Sequence, residues 1–301
     1  PPGTVLVKVG VSGVNYTDVM ARQGIYMSRE SGRDLPRTMG TEVAGVVTAV
    51  GEGVEPDLVG SRVVAFVEGG YAEYAVADRR LTFRLPESVE LGDAVAFLVQ
   101  GITAWELLVD RARLREGETV LVHSAAGGVG SLAVQLAHHL GASRVIATAS
   151  TASKLALASR LGATDTVNYT EPGWADRVLD LTDGRGVDVV IEAVGGDIGE
   201  ESLRILADNG RLVVYGVASK RMSAFAGSQL MQRNQAVLGY WLTSRLSPGS
   251  ATAEIVPRLL QLADAGELTA IVQHVFPLER AAEAHQALAD RGTVGKVALL
   301  A

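Results

Sequence analysis

The segment from His123 to Ala142, "HSAAGGVGSLAVQLAHHLGA", sets a run of small residues directly ahead of a periodic apolar stretch. Such a run brings the backbone close to an anion, and the amides that open the following helix face the same charge. The window Ala125 to Gly130 reads A-x-G-G-x-G, with alanine where the dinucleotide fingerprint G-x-G-x-x-G has its first glycine. In that reading Gly127 admits a pyrophosphate to the backbone, and Gly130 lets helix and strand pack closely. The bland alternative is a plain tight turn between strand and helix. The type of dinucleotide is set at the end of the next strand, where an acidic residue would accept the ribose hydroxyls of NAD. Here "VIATASTASKLAL" puts Ala149 and Ser150 at the tip and Lys154 just beyond, with no carboxylate before Asp165. A hydroxyl and an ammonium suit a 2′-phosphate, so NADPH is the expected cofactor.

Other chemistries are poorly supplied. The chain has no cysteine, which removes disulfides, thiolate metal sites and thiol nucleophiles. Its five histidines show no H-E-x-x-H spacing, and no metal site is expected. The net charge of −7 comes without a run of like charges, which argues against nucleic acid as the main partner. No uninterrupted apolar stretch reaches the ~18 residues of a membrane span, and no signal-like segment opens the sequence. A cytoplasmic protein is therefore expected.

The elements that must position these residues fall into two textures. From Val5 to about Val76, short valine-rich runs broken by glycine ("TVLVKVGVSGVNY", "VAGVVTAVG", "GSRVVAFV") read as strands of a compact barrel. Beyond Gln100, strands and helices alternate: strands at 119–123, 144–148, 166–169, 187–191, 211–215 and 236–242, with helices at 128–140, 153–161 and 174–182. That rhythm predicts a parallel sheet covered on both faces. The closing part, with a helix at 253–265 and then "VQHVFPLERAAEAHQAL" and "GKVALL", returns to mixed elements that could rejoin the first domain.

Several stretches in order resemble the zinc-free medium-chain dehydrogenases/reductases of the quinone oxidoreductase, or zeta-crystallin-like, family. They are "GVNYTDVMARQGIY" at 13–26, "MGTEVAGVVTAVGEGV" at 39–54, "QGITAWELL" at 100–108, the glycine segment, "VDVVIEAVGG" at 187–196 and "GKVALL" at 295–300. The resemblance runs nearly end to end. It implies an α/β protein: a Rossmann-fold parallel-sheet domain at 100–243, and a discontinuous GroES-like β-barrel domain at 1–99 and 244–301. The active site would lie in the cleft between them, and the family's opening barrel strands would precede residue 1. It also implies cofactor contacts from Thr103, from Ala126, Gly127, Gly128 and Val129 at the pyrophosphate, and from Ser150, Lys154 and Tyr169 at the 2′-phosphate. Val194 and Gly195 of "AVGG", with Gly216 and Val217 of "YGV", would follow at the nicotinamide.

Zinc-dependent relatives carry a cysteine in the first motif and Gly-His-Glu in the second, where this chain has Gly40-Thr41-Glu42. Without a metal, protein donors must meet the oxygen on which charge develops as hydride arrives. The resemblance makes Asn15 and Tyr26 those donors, and a phenol starts protonated at neutral pH. Asp18 and Arg22, four apart, read as a helix-surface ion pair. The expected activity is zinc-independent hydride transfer from NADPH to a small-molecule quinone or α,β-unsaturated carbonyl. The alternatives are an enoyl-thioester reductase of the polyketide type and a cofactor-binding protein with little catalysis, crystallin-like or RNA-binding. The apolar run ending at Leu242 would form an exposed sheet edge, which predicts a homodimer.

Overall fold

The computed structural model describes residues 1–25 and 36–301. The chain forms two compact units, one made of Pro1–Ile102 with Arg245–Ala301, the other of Thr103–Ser244.

In the first unit, valine alternation builds a closed sheet. Strand β1 (Thr4–Val14) is followed by helix α1 (Tyr16–Arg22) and by strands β2 (Glu42–Val50), β3 (Arg62–Val67) and β4 (Tyr74–Arg84). β1 pairs antiparallel with β2 on one edge and, through Thr4–Lys8, with β4 on the other. Since β2, β3 and β4 also pair in sequence, the four strands close on themselves. Alternate residues Val5, Val7 and Val9 therefore point inward, where they meet Val43, Val47 and Val63. Each such side chain fully removed from water contributes about 1.5–3 kcal/mol.

The sequence has no uninterrupted apolar stretch of membrane length, and helix α2 (Leu91–Arg111) comes near to one. It is 21 residues long with mean hydropathy 1.3, enough to cross a membrane by length and composition. Asp93, Glu106 and Asp110 interrupt the run, so a count of consecutive apolar residues misses it. Its apolar window is 78% buried inside the protein, which makes it a core helix. Two stretches of it, Phe97–Gly101 and Leu107–Arg111, are widened to π-helical turns.

The second unit is a parallel sheet of strands β5 (Thr119–Val122), β6 (Arg144–Ala149), β7 (Asp165–Asn168), β8 (Val187–Glu192), β9 (Leu206–Val214) and β10 (Ala236–Gly239). Their spatial order is β10-β9-β8-β5-β6-β7, and every neighbouring pair runs parallel. Numbered within the unit this is 3-2-1-4-5-6, the dinucleotide-binding order whose direction reverses between β5 and β8. Helices α3 (Gly128–His139), α4 (Ala152–Arg160), α5 (Trp174–Leu181), α6 (Gly196–Arg204) and α7 (Gly227–Gln232) lie between the strands in the chain. The sequence reading missed α6 and α7. "GDIGEESLR" and "GSQLMQ" are short and rich in glycine, polar or acidic residues, and each has only two large apolar side chains to mark its inner face. It also ran β10 on to Leu242, whereas the strand ends at Gly239 and Tyr240 turns inward to a buried position.

The chain then returns to the first unit with helix α8 (Ile255–Asp264), strand β11 (His274–Pro277), helix α9 (Ala281–Ala289) and strand β12 (Val297–Leu300). β12 lies antiparallel to the second half of β1, Val11–Val14, and β11 lies parallel to β12.

Candidate functional site

Parallel strands put all their carboxyl ends on one edge of a sheet, so the loops leaving β5, β6, β7, β8 and β9 share that edge. Between β5 and α3 the turn is held from inside. Ala125 N–H donates to Thr148 O at 3.0 Å, Gly127 N–H to Ser124 O at 2.8 Å, and Ser124 takes a left-handed φ of 52°. A side chain at Gly130 would meet the Ala125 Cα at 2.8 Å, so only glycine lets helix and turn approach this closely. Within α3, Ser131 N–H bonds back to Gly127 O, leaving the amides of Gly128, Val129 and Gly130 at the helix's open end. An anion is the partner such an end accepts.

His123, at the head of the glycine segment, is a structural residue. It is fully buried, with Nδ1 2.7 Å from Thr148 Oγ1 and Nε2 2.8 Å from Ser202 Oγ. Ser202 donates its own proton to Ile198 O, so it accepts from Nε2–H, and Thr148 donates to Nδ1. Burial pushes this histidine down to about 3, which keeps it neutral.

The loops after β8 and β9 interlock. Glu192, fully buried at the end of β8, accepts the amides of Val194 at 2.5 Å and Gly195 at 2.9 Å on Oε1. Ala218 N–H donates to Ala193 O and Ser219 N–H to Val194 O, at 2.9 and 2.7 Å. A Cβ on Gly216 would sit 3.1 Å from Ala193 O. Val194, Gly195, Gly216 and Val217 thus belong to one small backbone assembly. Thr103 lies buried near the middle of α2.

At the end of β6, Ser150 is half-buried and Thr151 caps α4 by accepting the Lys154 amide at 3.3 Å. Lys154 therefore stands in a first helical turn, where a cation is disfavoured by the helix dipole unless an anion lies nearby. No carboxylate follows β6 on that loop. Tyr169, just past β7, packs its ring edge-on against His123 at 6.1 Å, beside Trp174. Part of it is structural filling.

In the first unit, a buried polar cluster gathers around Asn15. Its Nδ2 donates to Glu42 Oε1 at 2.7 Å and approaches Thr41 Oγ1 at 3.5 Å. Its Oδ1 accepts from Gln100 Nε2 and from Lys296 Nζ, both at 3.0 Å. Lys296 also forms an ion pair with Glu42, both side chains being 0% exposed. The second Glu42 oxygen accepts the Val99 amide at 2.9 Å, within the first widened stretch of α2. Gly13 supplies the room, since a Cβ there would lie 2.7 Å from the Lys296 side chain.

The geometry makes Asn15 a connector within this cluster, a setting its motif does not show: one amide hydrogen bonds Glu42, and the other faces Thr41 Oγ1 at the 3.5 Å outer limit of a hydrogen bond. The physical reason is tertiary: its partners lie 27, 85 and 281 residues away along the chain. Tyr26, the other expected donor, lies outside the described residues.

Asp18 is corrected from an exposed partner of Arg22 to a buried acid. Its Oδ2 accepts the Asn15 amide at 2.8 Å and the Tyr71 hydroxyl at 3.1 Å. Burial raises it to about 6, against the opposing pull of those hydrogen bonds and of Lys296. Tyr71 also meets His285 Nε2 at 3.0 Å, and burial lowers that histidine, as does the nearby Arg22 charge. Sequence reasoning missed Glu42, Tyr71, Gln100, Glu192, His285 and Lys296 as site-forming groups. One signal was present: a lone lysine in the apolar run "GKVALL" has to bury its charge against an acid.

The donors do not fit a zinc ion. There is no cysteine, Thr41 stands at the histidine position of the zinc-type motif, and Glu42 is committed to Lys296, Asn15 and Val99. Among the described residues, no three of His, Asp or Glu come together as a ligand set.

The family model described as alcohol dehydrogenase GroES-like domain matches residues 1–87, and that of the zinc-binding dehydrogenases matches residues 128–264. A probable quinone oxidoreductase of Schizosaccharomyces pombe is 36% identical over 301 residues, covering 99% of this chain and 89% of that protein. The human synaptic vesicle membrane protein VAT-1 homolog is 34% identical over 316 residues, covering 99% of this chain and 79% of its own length. The structure of Escherichia coli quinone oxidoreductase complexed with NADPH superimposes with a TM-score of 0.90 at 31% identity, covering 99% of this chain and 92% of that one.

Proposed function

This chain belongs to the quinone oxidoreductase family of medium-chain dehydrogenases/reductases, and from that premise we propose that it is a zinc-independent, NADPH-dependent reductase of quinones or α,β-unsaturated carbonyl compounds. The observation that carries the reading is the turn from Ser124 to Gly130. It sits at the end of β5, where the strand order reverses, with Gly130 closed against the turn and three helix-end amides facing outward.

NADPH, when bound, supplies a hydride. The chain's own part is binding and orientation. Ala126, Gly127, Gly128 and Val129 would hold the pyrophosphate, while Ser150, Lys154 and Tyr169 would meet the 2′-phosphate. An ammonium and a hydroxyl beside the start of α4 suit the phosphate-bearing cofactor, because a 2′-phosphate offers both a charge and acceptor oxygens. Thr103, with the interlocked loops at Val194–Gly195 and Gly216–Val217, would seat the nicotinamide. The acceptor gains the hydride at carbon or at a quinone oxygen, and a proton reaches the oxygen that becomes negative. Tyr26 is our proposed donor of that proton, on the ground of the first sequence motif alone.

One experiment tests the assignment: NADPH oxidation followed across small quinones, enones and enoyl thioesters, with NADH as control. Turnover of quinones or enones with NADPH well above NADH is expected. Preference for enoyl thioesters would replace it with the polyketide-type reading, and tight NADPH binding with no turnover would indicate a binding protein. A Tyr26→Phe variant with unchanged turnover on the best acceptor would remove the tyrosine from the chemistry. We propose further that β10, whose outer edge ends the sheet, pairs across a two-fold axis. Sedimentation should then show a dimer, and a monomer at micromolar concentration rules that pairing out.

A further inference from the structure

Glu192 is an expensive residue in an unexpected place. A carboxyl group that ends a buried strand beside the strand-order reversal has no exposure at all. Its chemistry is directed to backbone: Oε1 takes both the Val194 and Gly195 amides, while Oε2 is buried without a hydrogen-bond partner among the described residues. A buried carboxyl oxygen without a partner calls for a specific reason for the acid to be there.

What Oε1 does is close a turn that the backbone does not close by itself. Gly195 has a φ of +75° and Gly196 a φ of +57°, both in the left-handed region. The loop is also held from its far side, by Ser219 N–H on Val194 O and by Ser223 Oγ on Gly196 O at 3.1 Å. Room for the acid is built in, since a Cβ on Gly199 would lie 3.3 Å from the Glu192 carboxyl carbon. Carbonyls are therefore tied outward to the 218–223 segment and amides inward to one carboxyl oxygen. The loop is thus held by hydrogen bonds on both sides.

We propose that Glu192 is a positioning residue for the nicotinamide end of the cofactor site, presetting through Oε1 the Val194–Gly195 turn on which the ring rests. This rests on the reading of that loop as part of an NADPH site. The effect is preorganisation: a turn fixed in advance loses less conformational freedom when the ring binds. Because the role needs only an acceptor at Oε1, a glutamine in the same place serves, its side-chain carbonyl replacing the carboxyl oxygen. Burial also raises the acid above its ordinary value, which is consistent with a group whose task requires no charge.

The test compares two ligands on the purified full chain: NADPH, and 2′-phospho-ADP-ribose, which carries every part of the cofactor except the nicotinamide ring. Binding is read by calorimetry. Glu192→Ala should weaken NADPH at least tenfold, a loss of about 1.4 kcal/mol or more, and leave 2′-phospho-ADP-ribose within about twofold. Glu192→Gln should restore NADPH to within about threefold of the parent. Equal weakening of both ligands would reduce Glu192 to general support of the fold and overturn the proposal, as would unchanged NADPH binding in Glu192→Ala. If the alanine variant does not fold, Glu192→Asp, which withdraws the oxygen by one methylene, carries the same two-ligand comparison and the same criteria. Absence of NADPH binding by the parent chain would instead refute the cofactor reading on which the inference stands.

Discussion

The two units solve the problem of burying polarity in opposite ways. Around Asn15 the first unit buries full charges: Lys296 and Glu42 pair at zero exposure, with Asp18 close by. At its strand ends the second unit buries backbone turns and neutral side chains, with His123 held uncharged between two hydroxyls. The first arrangement is assembled from side chains scattered between residues 15 and 296, the second from short turns at the ends of strands that the sheet brings side by side. A charge network of the first kind is rigid but depends on each partner, because removal of one leaves the other desolvated. A backbone cradle depends instead on glycine where the chain packs closest, as at Gly130.

That contrast is open to direct attack. The largest effect should come from Lys296→Met, which strands Glu42 in the interior and should cost about 3–5 kcal/mol in urea unfolding. The double variant Lys296→Met/Glu42→Gln should recover part of the loss, and a single variant costing under about 1 kcal/mol would mean the pair is not the keystone of the cluster.

Next comes acid-linked stability in the same unit. Asp18 binds its proton more tightly when folded, being raised from 3.8 to about 6 by burial. Its ionisation therefore opposes folding: the stability it supports is complete below about pH 4 and is lost as pH rises through about 6, in total about 3 kcal/mol. Asp18→Asn should flatten that part of the stability profile. An unchanged slope between pH 4 and 7 would place the charge response elsewhere.

The smallest effect belongs to the second unit. Gly130→Ala inserts a single methyl against the Ala125 backbone, and overpacking of this kind costs about 1–3 kcal/mol. We expect thermal stability to fall by that amount and NADPH affinity to drop more than tenfold, while the pH profile of stability keeps its shape. Full NADPH affinity in this variant would show that close packing at Gly130 is not what the cradle needs.

Legibility in the sequence followed the same division. The parallel sheet and its glycine turn could be read because the signals are local: a strand, small residues, then a helix, repeated at short intervals. Gly127 to Gly130 carry their roles in their own type and spacing. The missed helix α6 shows the limit, since "GDIGEESLR" opens on glycine and has only two large apolar side chains, Ile198 and Leu203, to mark its inner face. The Asn15 cluster left a single signal, the lone lysine of "GKVALL", and nothing that named its partners. An asparagine followed by "YTD" looks like a residue available to solvent or substrate, and only folding reveals that its amide joins a buried network.

By itself, then, the sequence determined the α/β class, the strand-turn-helix at residues 119–139 and the lack of thiol ligands, because each depends on residue type and short-range spacing. Tertiary structure alone decided that Asn15 joins a buried network, that Asp18 is a buried acid, that Leu91–Arg111 is a core helix and that Glu192 sits beneath the Val194–Gly195 turn. The physical reason is that desolvation and hydrogen-bond completion are properties of the surroundings, and for these residues the surroundings come from distant parts of the chain or from how the chain packs around them.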